Sequence, residues 1–211
     1  MLILVSRSTA LKTHAGDPHL GVLVTPQKGV RPWTLDLADE HGMMWACDNG
    51  CFQSLVEREF MRMLDTVRGR PRCLFVVVPD VYENAEATRR RWDDWHKVVA
   101  ADSGQPLAFV TQPGCTSGMV PWDRIAALFV GGPDYWQMSV ESCRLIREAK
   151  GLDKWVHIGR VGTDTRLRWA YDIGADSVDG SQYAMYPYHL RDDLGKLKMI
   201  EQQEYLFDTR A

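Results

Sequence analysis

The sequence predicts a closed α/β barrel, eight parallel strands each followed by a helix, built as a single domain over residues 1–211. Three observations lead there. Short apolar, β-branched runs recur along the chain, amphipathic stretches with helix caps lie between them, and the runs number eight, which favours a closed (β/α)₈ barrel over an open sheet.

The runs are LILVS (2–6), GVLVT (21–25), MMWAC (43–47), CLFVVV (73–78), LAFVT (107–111), ALFVGG (127–132), WVHIG (155–159) and DSVDG (176–180). Most are apolar throughout rather than alternating, as expected of parallel strands covered on both faces. Between the first two, residues 7–20 show no clear helix. A helix is expected from Gln53 to Val67, ahead of the RGRP turn. Asn84 is placed to cap another from Ala85 to Ala101, in which Ala87, Trp92, Trp95, Val98 and Val99 recur at helical spacing. Two more run from Met138 to Lys150, stopped by Gly151, and from Asp164 to Ile173, stopped by Gly174. A closing helix is expected over Tyr188–Phe207.

At 45% hydrophobic and 25% charged residues, a chain of 211 residues buries a full core without staples. The five cysteines form no CxxC pair and read as small apolar fillers in a reducing compartment, not as a metal site. The leading apolar run is too short for a signal or membrane segment, so the expectation is a cytoplasmic protein with no membrane partner, in the host cytoplasm if phage-encoded. A net charge of -3 excludes a histone-like binder but allows a local basic stripe from Arg68, Arg70 and Arg72, from Arg89–Arg91, or from Arg160, Arg166 and Arg168. The alternative for the Arg89–Arg91 run is a solvated helix face.

In such a barrel, chemistry sits at the C-terminal ends of the strands. Those ends read Asp48-Asn49-Gly50, Pro79-Asp80, Gln112-Pro113-Gly114, Gly131-Gly132, Gly159-Arg160 and Asp179-Gly180. Three carboxylates at one rim suit either a hard metal such as Mg²⁺ or a polar heterocycle with several N–H donors. In the second case one carboxylate accepts from a guanine-like N1–H and amino edge while amide and backbone N–H groups address O6. Composition does not choose between them.

The motifs themselves resemble a known family. ACDNGCFQ (46–53) is similar to the DSGG(F/Y)Q motif of the tRNA-guanine transglycosylase superfamily. WVHIGRVGTDTRLRWAYDIGADSVDGS (155–181) resembles the family stretch from a Met-Gly-Val-Gly-Thr element through a helix to Gly-x-Asp-x-Phe-Asp. FVVVPD (75–80), FVTQPG (109–114) and LFVGG (128–132) follow the order of its Asp, Gln-Gly-Gly and Gly-Gly elements. The small size and the DNGCF variant look closest to the DpdA-like branch of phage and bacterial deazapurine DNA modification. The resemblance implies a TIM-type barrel and a pentosyl transfer in which a 7-deazaguanine such as preQ0 replaces guanine.

It further implies that Asp179 attacks the anomeric carbon and that Asp48 is its acid/base partner. Asp80, Gln112 and a backbone N–H of Gly131 or Gly132 would read the purine, Phe52 and Ile158 would sandwich it, and Asn49 would stand beside it. His157 and Arg160 would contact sugar or phosphate at the rim. The alternative for Phe52 and Ile158 is barrel packing. No cofactor or metal is expected.

The departures shape the substrate. No Cys follows Cys143, so the family's C-terminal zinc subdomain is missing, and Asn49 and Cys51 replace Ser and Gly in the first motif. The expected partners are therefore nucleic acid, DNA rather than tRNA, a free 7-deazaguanine base, and a partner subunit or a second copy in a homodimer. The residues leave open a purine N-glycosylase or nucleoside hydrolase at the same site. They also leave open a phosphate-binding barrel enzyme, suggested by LFVGGPD (128–134) and GRVGT (159–163), and a non-catalytic purine- or nucleic-acid-binding subunit.

Overall fold

The structure is a computed structural model that describes residues 1–6, 9–26, 32–51 and 54–208. Eight strands pair in sequence order: β1 (Leu2–Val5), β2 (Leu20–Val24), β3 (Trp45–Cys47), β4 (Cys73–Val77), β5 (Leu107–Thr111), β6 (Ala127–Val130), β7 (Trp155–Ile158) and β8 (Ser177–Asp179). Every pairing is parallel, and β8 closes on β1 to form the expected (β/α)₈ TIM-type barrel. The helices are α1 (Thr9–Thr13), α2 (Pro32–Glu40), α3 (Glu57–Val67), α4 (Ala85–Ser103), α5 (Asp134–Gln137), α6 (Val140–Gly151), α7 (Asp164–Asp172), α8 (Ser181–Met185) and α9 (Pro187–Asp208). None of the described helices is long and apolar enough to cross a membrane.

Several boundaries differ from the sequence expectation for local reasons. A single turn, α1, occupies the first connection because Ala10 and Leu11 bury against the barrel. Helix α3 begins at Glu57, and Gln53 lies outside the described residues. Ser139 caps α6 by accepting from the Ser142 N–H, so that helix starts at Val140 rather than Met138. Gly151 does not stop α6; it is the helix's last residue, and Asp153, at φ 53°, makes the left-handed turn. Asn84 caps α4 and Gly174, at φ 86°, follows α7, both as expected.

Strand parity divides the core in two. Ile3, Val22, Trp45, Val76, Phe109, Val130, Ile158 and Val178 face outward and pack beneath the helices. Leu4, Leu23, Ala46, Val77, Ala108, Val110, Ala127 and Phe129 fill the interior. On β4 the alternation is interrupted: pairing with β3 slips between Trp45↔Cys73 and Cys47↔Val76, and Leu74 and Phe75 both turn inward. This bulge re-phases the strand, so Val77 points in, Val78 points out, and Asp80 comes up at the rim.

The helices lay down matching stripes, such as Phe60, Met63, Leu64 and Val67 on α3. Phe60 is fully buried and meets Trp95 of α4 edge to face at 6.0 Å, which ties two neighbouring helices together. Phe60→Ala is expected to cost about 3–5 kcal/mol and to lower the melting temperature by about 10 °C, read by circular dichroism. A loss below about 1 kcal/mol would show that this contact does not anchor the helix layer.

Candidate active site

At the C-terminal rim, six strand ends converge. Asp48 follows β3, Asp80 lies three residues past β4, Gln112 follows β5, Gly131 and Gly132 follow β6, Arg160 lies just past β7, and Asp179 ends β8. All of them line one cavity of about 90 Å³, together with Asn49, Tyr82, Gln137 and the inward faces of Val77, Val110 and Phe129.

One wall is organised around Asp80, which is 8% exposed. Asn49 Nδ2 donates to its Oδ1 at 2.9 Å and Gln112 Nε2 to its Oδ2 at 2.7 Å. Both amides are themselves fixed: Asn49 Oδ1 accepts from Cys51 N–H at 2.8 Å, and Gln112 Oε1 from Glu83 N–H at 2.9 Å. Arg91 adds a guanidinium bond to the Asp80 carbonyl at 2.8 Å. Burial pushes the Asp80 carboxyl above its ordinary range, against the two amide donors and Arg91, which pull it down. Asn49 and Gln112 therefore orient Asp80 first, and Asp80 presents its remaining lone pairs to whatever enters.

The glycines at this wall have a packing reason. A Cβ on Gly131 would come within 2.7 Å of Val110 and 3.0 Å of Gln112 Nε2, and one on Gly132 within 2.8 Å of Trp136. Gly132 also sits at φ 77°. Both positions let the Gln112 amide stand where it reaches Asp80.

The opposite wall carries Asp179, 17% exposed. Its Oδ1 accepts from the Arg160 N–H at 3.1 Å, and its Oδ2 lies 2.9 Å from His157 Nε2. Arg160 takes a left-handed backbone, φ 59°, to aim that N–H. Its guanidinium donates to the Gly132 carbonyl and lies 5.2 Å from the Tyr82 ring centre, so it spans the mouth from β7 to the β4 and β6 loops.

Asp48 stands between the two walls. Burial, then the negative charges of Asp179 and Asp80, raise its carboxyl from the ordinary 3.8 to about 7, while backbone N–H groups of Gly50 and Asn49 oppose the rise. A second cavity of about 280 Å³ opens on the far side, lined by Ser6, Thr25, Gly162, Gly180, Ser181 and Gln182 over Leu4 and Leu23. Asp48, Arg160 and Asp179 border both cavities and so form the partition between them.

Two expected site residues are corrected. Ile158 faces outward into the helix layer, fully buried, because it alternates with the inward His157; it cannot touch a ligand in the mouth. His157 does not lie at the rim: it is fully buried inside the barrel, under Asp179. Phe52 lies outside the described residues.

The basic stripe does not assemble either. Arg68 and Arg70 precede β4, at the opposite end of the barrel, and pair with Asp65 and Asp102 and with Asp36 and Asp39. Arg89 and Arg90 pair along α4 with Asp93 and Glu86, a solvated face as the alternative reading had it, whereas Arg91 turns in to Asp80. Arg166 is held by Asp134 and Gln137, and Arg168 by Asp172.

Sequence reasoning missed Gln137 and the two cavity-lining hydroxyl residues Ser6 and Thr25. Gln137 is fully buried and its Nε2 lies within hydrogen-bond distance of the carbonyls of Val130, Gly132 and Gly159, which fastens the β6 and β7 ends. Nothing in the local sequence marks it. Ser6 and Thr25 were legible as the polar residues closing two apolar runs. Among the described residues no three or more His, Cys, Asp or Glu groups are arranged to hold a metal ion. The five cysteines are free thiols.

The raised carboxyl of Asp48 has a thermodynamic sign. Between about pH 4 and pH 7 the folded chain keeps a proton that the unfolded chain has released, so stability falls as pH rises through that window. Asp48→Asn, which mimics the protonated group, is expected to stabilise the protein by about 2 kcal/mol at pH 8, roughly 5 °C in melting temperature, and by almost nothing at pH 4. Equal gains at both pH values would contradict this origin. Gln112→Leu is expected to cost about 3 kcal/mol, because it strips one donor from the buried Asp80; thermal melts would show it.

No protein-family model matches the chain, and no curated protein matches it in sequence.

Proposed function

We propose that this protein is a base-exchanging transglycosylase that replaces guanine in nucleic acid, DNA rather than tRNA, with a 7-deazaguanine such as preQ0. The observation that carries the reading is the partition: Asp179 and Asp48 stand where a cavity shaped around one acceptor, Asp80, meets a hydroxyl-lined cavity. A purine in the first and a pentose in the second would put the glycosidic bond between the two carboxylates. Asp80 suits guanine, whose N1–H and amino group both donate, and repels adenine, whose N1 is an acceptor. The choice of DNA rests on Asn49 and Cys51 standing where the tRNA-acting family has Ser and Gly.

The chemistry balances over two half-reactions. An Asp179 oxygen bonds to the anomeric carbon as the carbon–nitrogen bond breaks; the electron pair leaves with the purine nitrogen, which takes the Asp48 proton. The incoming base then gives its N–H proton to the Asp48 carboxylate, its nitrogen bonds to the carbon, and the bond to Asp179 breaks. A group poised near neutrality serves both directions. A duplex target must present the nucleotide flipped out of the stack.

Two neighbouring readings differ in what supports them. Water in place of the incoming base gives a glycosylase from the same first half. A phosphate-binding site at the β6 and β7 loops is disfavoured by the neighbouring carboxylates and by the guanidinium of Arg160 being directed at Gly132 and Tyr82.

Labelled preQ0 or guanine supplied with duplex DNA, single-stranded DNA and tRNA is expected to enter DNA, and Asp179→Asn to lower incorporation by about 10³-fold or more. Abasic product without incorporation would establish hydrolysis instead, and no turnover on any polymer would overturn the enzyme reading. Single-turnover guanine release without incoming base is expected to slow as pH rises above about 7, where Asp48 loses the proton it must deliver. A rate that stays flat from pH 6 to 9 would remove Asp48 from that role.

A further inference from the structure

The interior of the barrel is apolar on β1 to β6, but β7 and β8 send Trp155, His157, Ser177 and Asp179 into it. We propose that Trp155, Ser177 and His157 form a one-way hydrogen-bond chain that fixes His157 as the neutral Nε2–H tautomer and makes it a positioning residue for the Asp179 carboxylate.

The direction follows from counting protons. Trp155 Nε1 can only donate, and it donates to Ser177 Oγ at 2.8 Å. Ser177 Oγ also lies 2.8 Å from His157 Nδ1, and both residues are fully buried. Among the described residues the Ser177 hydroxyl has these two side-chain partners and no other. If Nδ1 carried a proton and donated it to Ser177, the hydroxyl's own hydrogen would be sealed in the barrel without an acceptor. The hydroxyl therefore donates to an unprotonated Nδ1, and the ring proton resides on Nε2, 2.9 Å from Asp179 Oδ2.

The far end agrees independently. An ionised carboxylate only accepts, so Asp179 requires a donor at that ring nitrogen. Register makes the arrangement rigid: His157 is the ladder partner of Ser177, and its ring packs 4.6 Å from Phe129 and 5.4 Å from Phe75. With Arg160 N–H on Oδ1 and His157 Nε2–H on Oδ2, the carboxylate is gripped at both oxygens and cannot rotate away from the partition. The two donors stay in place as the electron pair leaves the carboxylate in forming the glycosyl ester and returns when the ester breaks. This consequence rests on the reading of Asp179 as the attacking group; the tautomer does not.

The test has two independent arms. In ¹⁵N-histidine-labelled wild type at pH 8, His157 is expected to show a pyrrole-like Nε2 and a pyridine-like Nδ1, and Ser177→Ala to shift only the Nδ1 resonance as its hydrogen bond is lost. Two pyrrole-like nitrogens, an Nδ1–H tautomer, or an Nδ1 signal unmoved by Ser177→Ala would overturn the chain. In the exchange assay, His157→Phe is expected to lower kcat by about 10²-fold with KM changed less than about threefold, as for a reacting carboxylate that is no longer held in its attacking geometry. His157→Gln, which restores an N–H at the same place, is expected to recover at least about tenfold of that. An unchanged kcat in His157→Phe, or equal losses in both variants, would overturn the positioning role. If wild type exchanges no base, the reading of Asp179 falls, and the spectrum alone then decides the chain.

Discussion

Inside a closed eight-stranded barrel no bulk water reaches a polar group, so each one that parity turns inward must find its partner on a neighbouring strand. This constraint explains the division of the interior. Six strands meet it by presenting carbon, from Leu4 to Phe129. The last two meet it by presenting groups that complete one another across the β7–β8 ladder, where His157 and Ser177 are direct partners. Asp179, which tops this column at the mouth, receives donors at both its oxygens. The carboxylate, its orientation and its place at the mouth are thus properties of the fold, not additions to it.

The same rule extends up into the loops. Asp80 is held by amides from the β3 and β5 ends, and Gln137 ties the β6 end to β7 while Arg160 crosses to Gly132. The loops around the mouth are therefore cross-braced by side chains whose hydrogen bonds are largely committed before any ligand arrives. Such preorganisation costs stability where the charges crowd, as at Asp48, whose carboxyl is pushed toward neutrality by burial and by its two acidic neighbours.

Much of this could be read from the residues. All eight strands lie where the apolar runs put them, and the carboxylates at Asp48, Asp80 and Asp179 do share one rim, because strand–helix alternation fixes which strand ends face the same way. Ile158 and His157 were misplaced although the signal was present: two-residue alternation along WVHI puts neighbours on opposite faces, and the apolar Ile belonged under the helices. The capping of α6 was misjudged because Gly151 is tolerated within the last turn when the next residues supply the bend. Gln137 and the partners of Arg70 and Arg166 were beyond reach, since those contacts join segments far apart in the chain, whereas the pairs of Arg89, Arg90 and Arg168 lie one helical turn away and were legible. Whether a basic run is free or neutralised depends on both kinds of partner, the acids one turn away along the same helix and those brought in from distant segments.

The extra residue in β4 has a consequence for how such a chain can vary. Below the bulge, Leu74 and Phe75 both serve the packing of the barrel floor; above it, the restored alternation leads up to Asp80. One strand therefore carries two frames that meet at a single irregular step. Floor residues can be exchanged for others of similar volume while the upper frame keeps the acceptor aimed at the cavity. The bulge works as a mechanical joint between the packing of the barrel floor and the aim of Asp80 at the mouth, both carried by the same short segment.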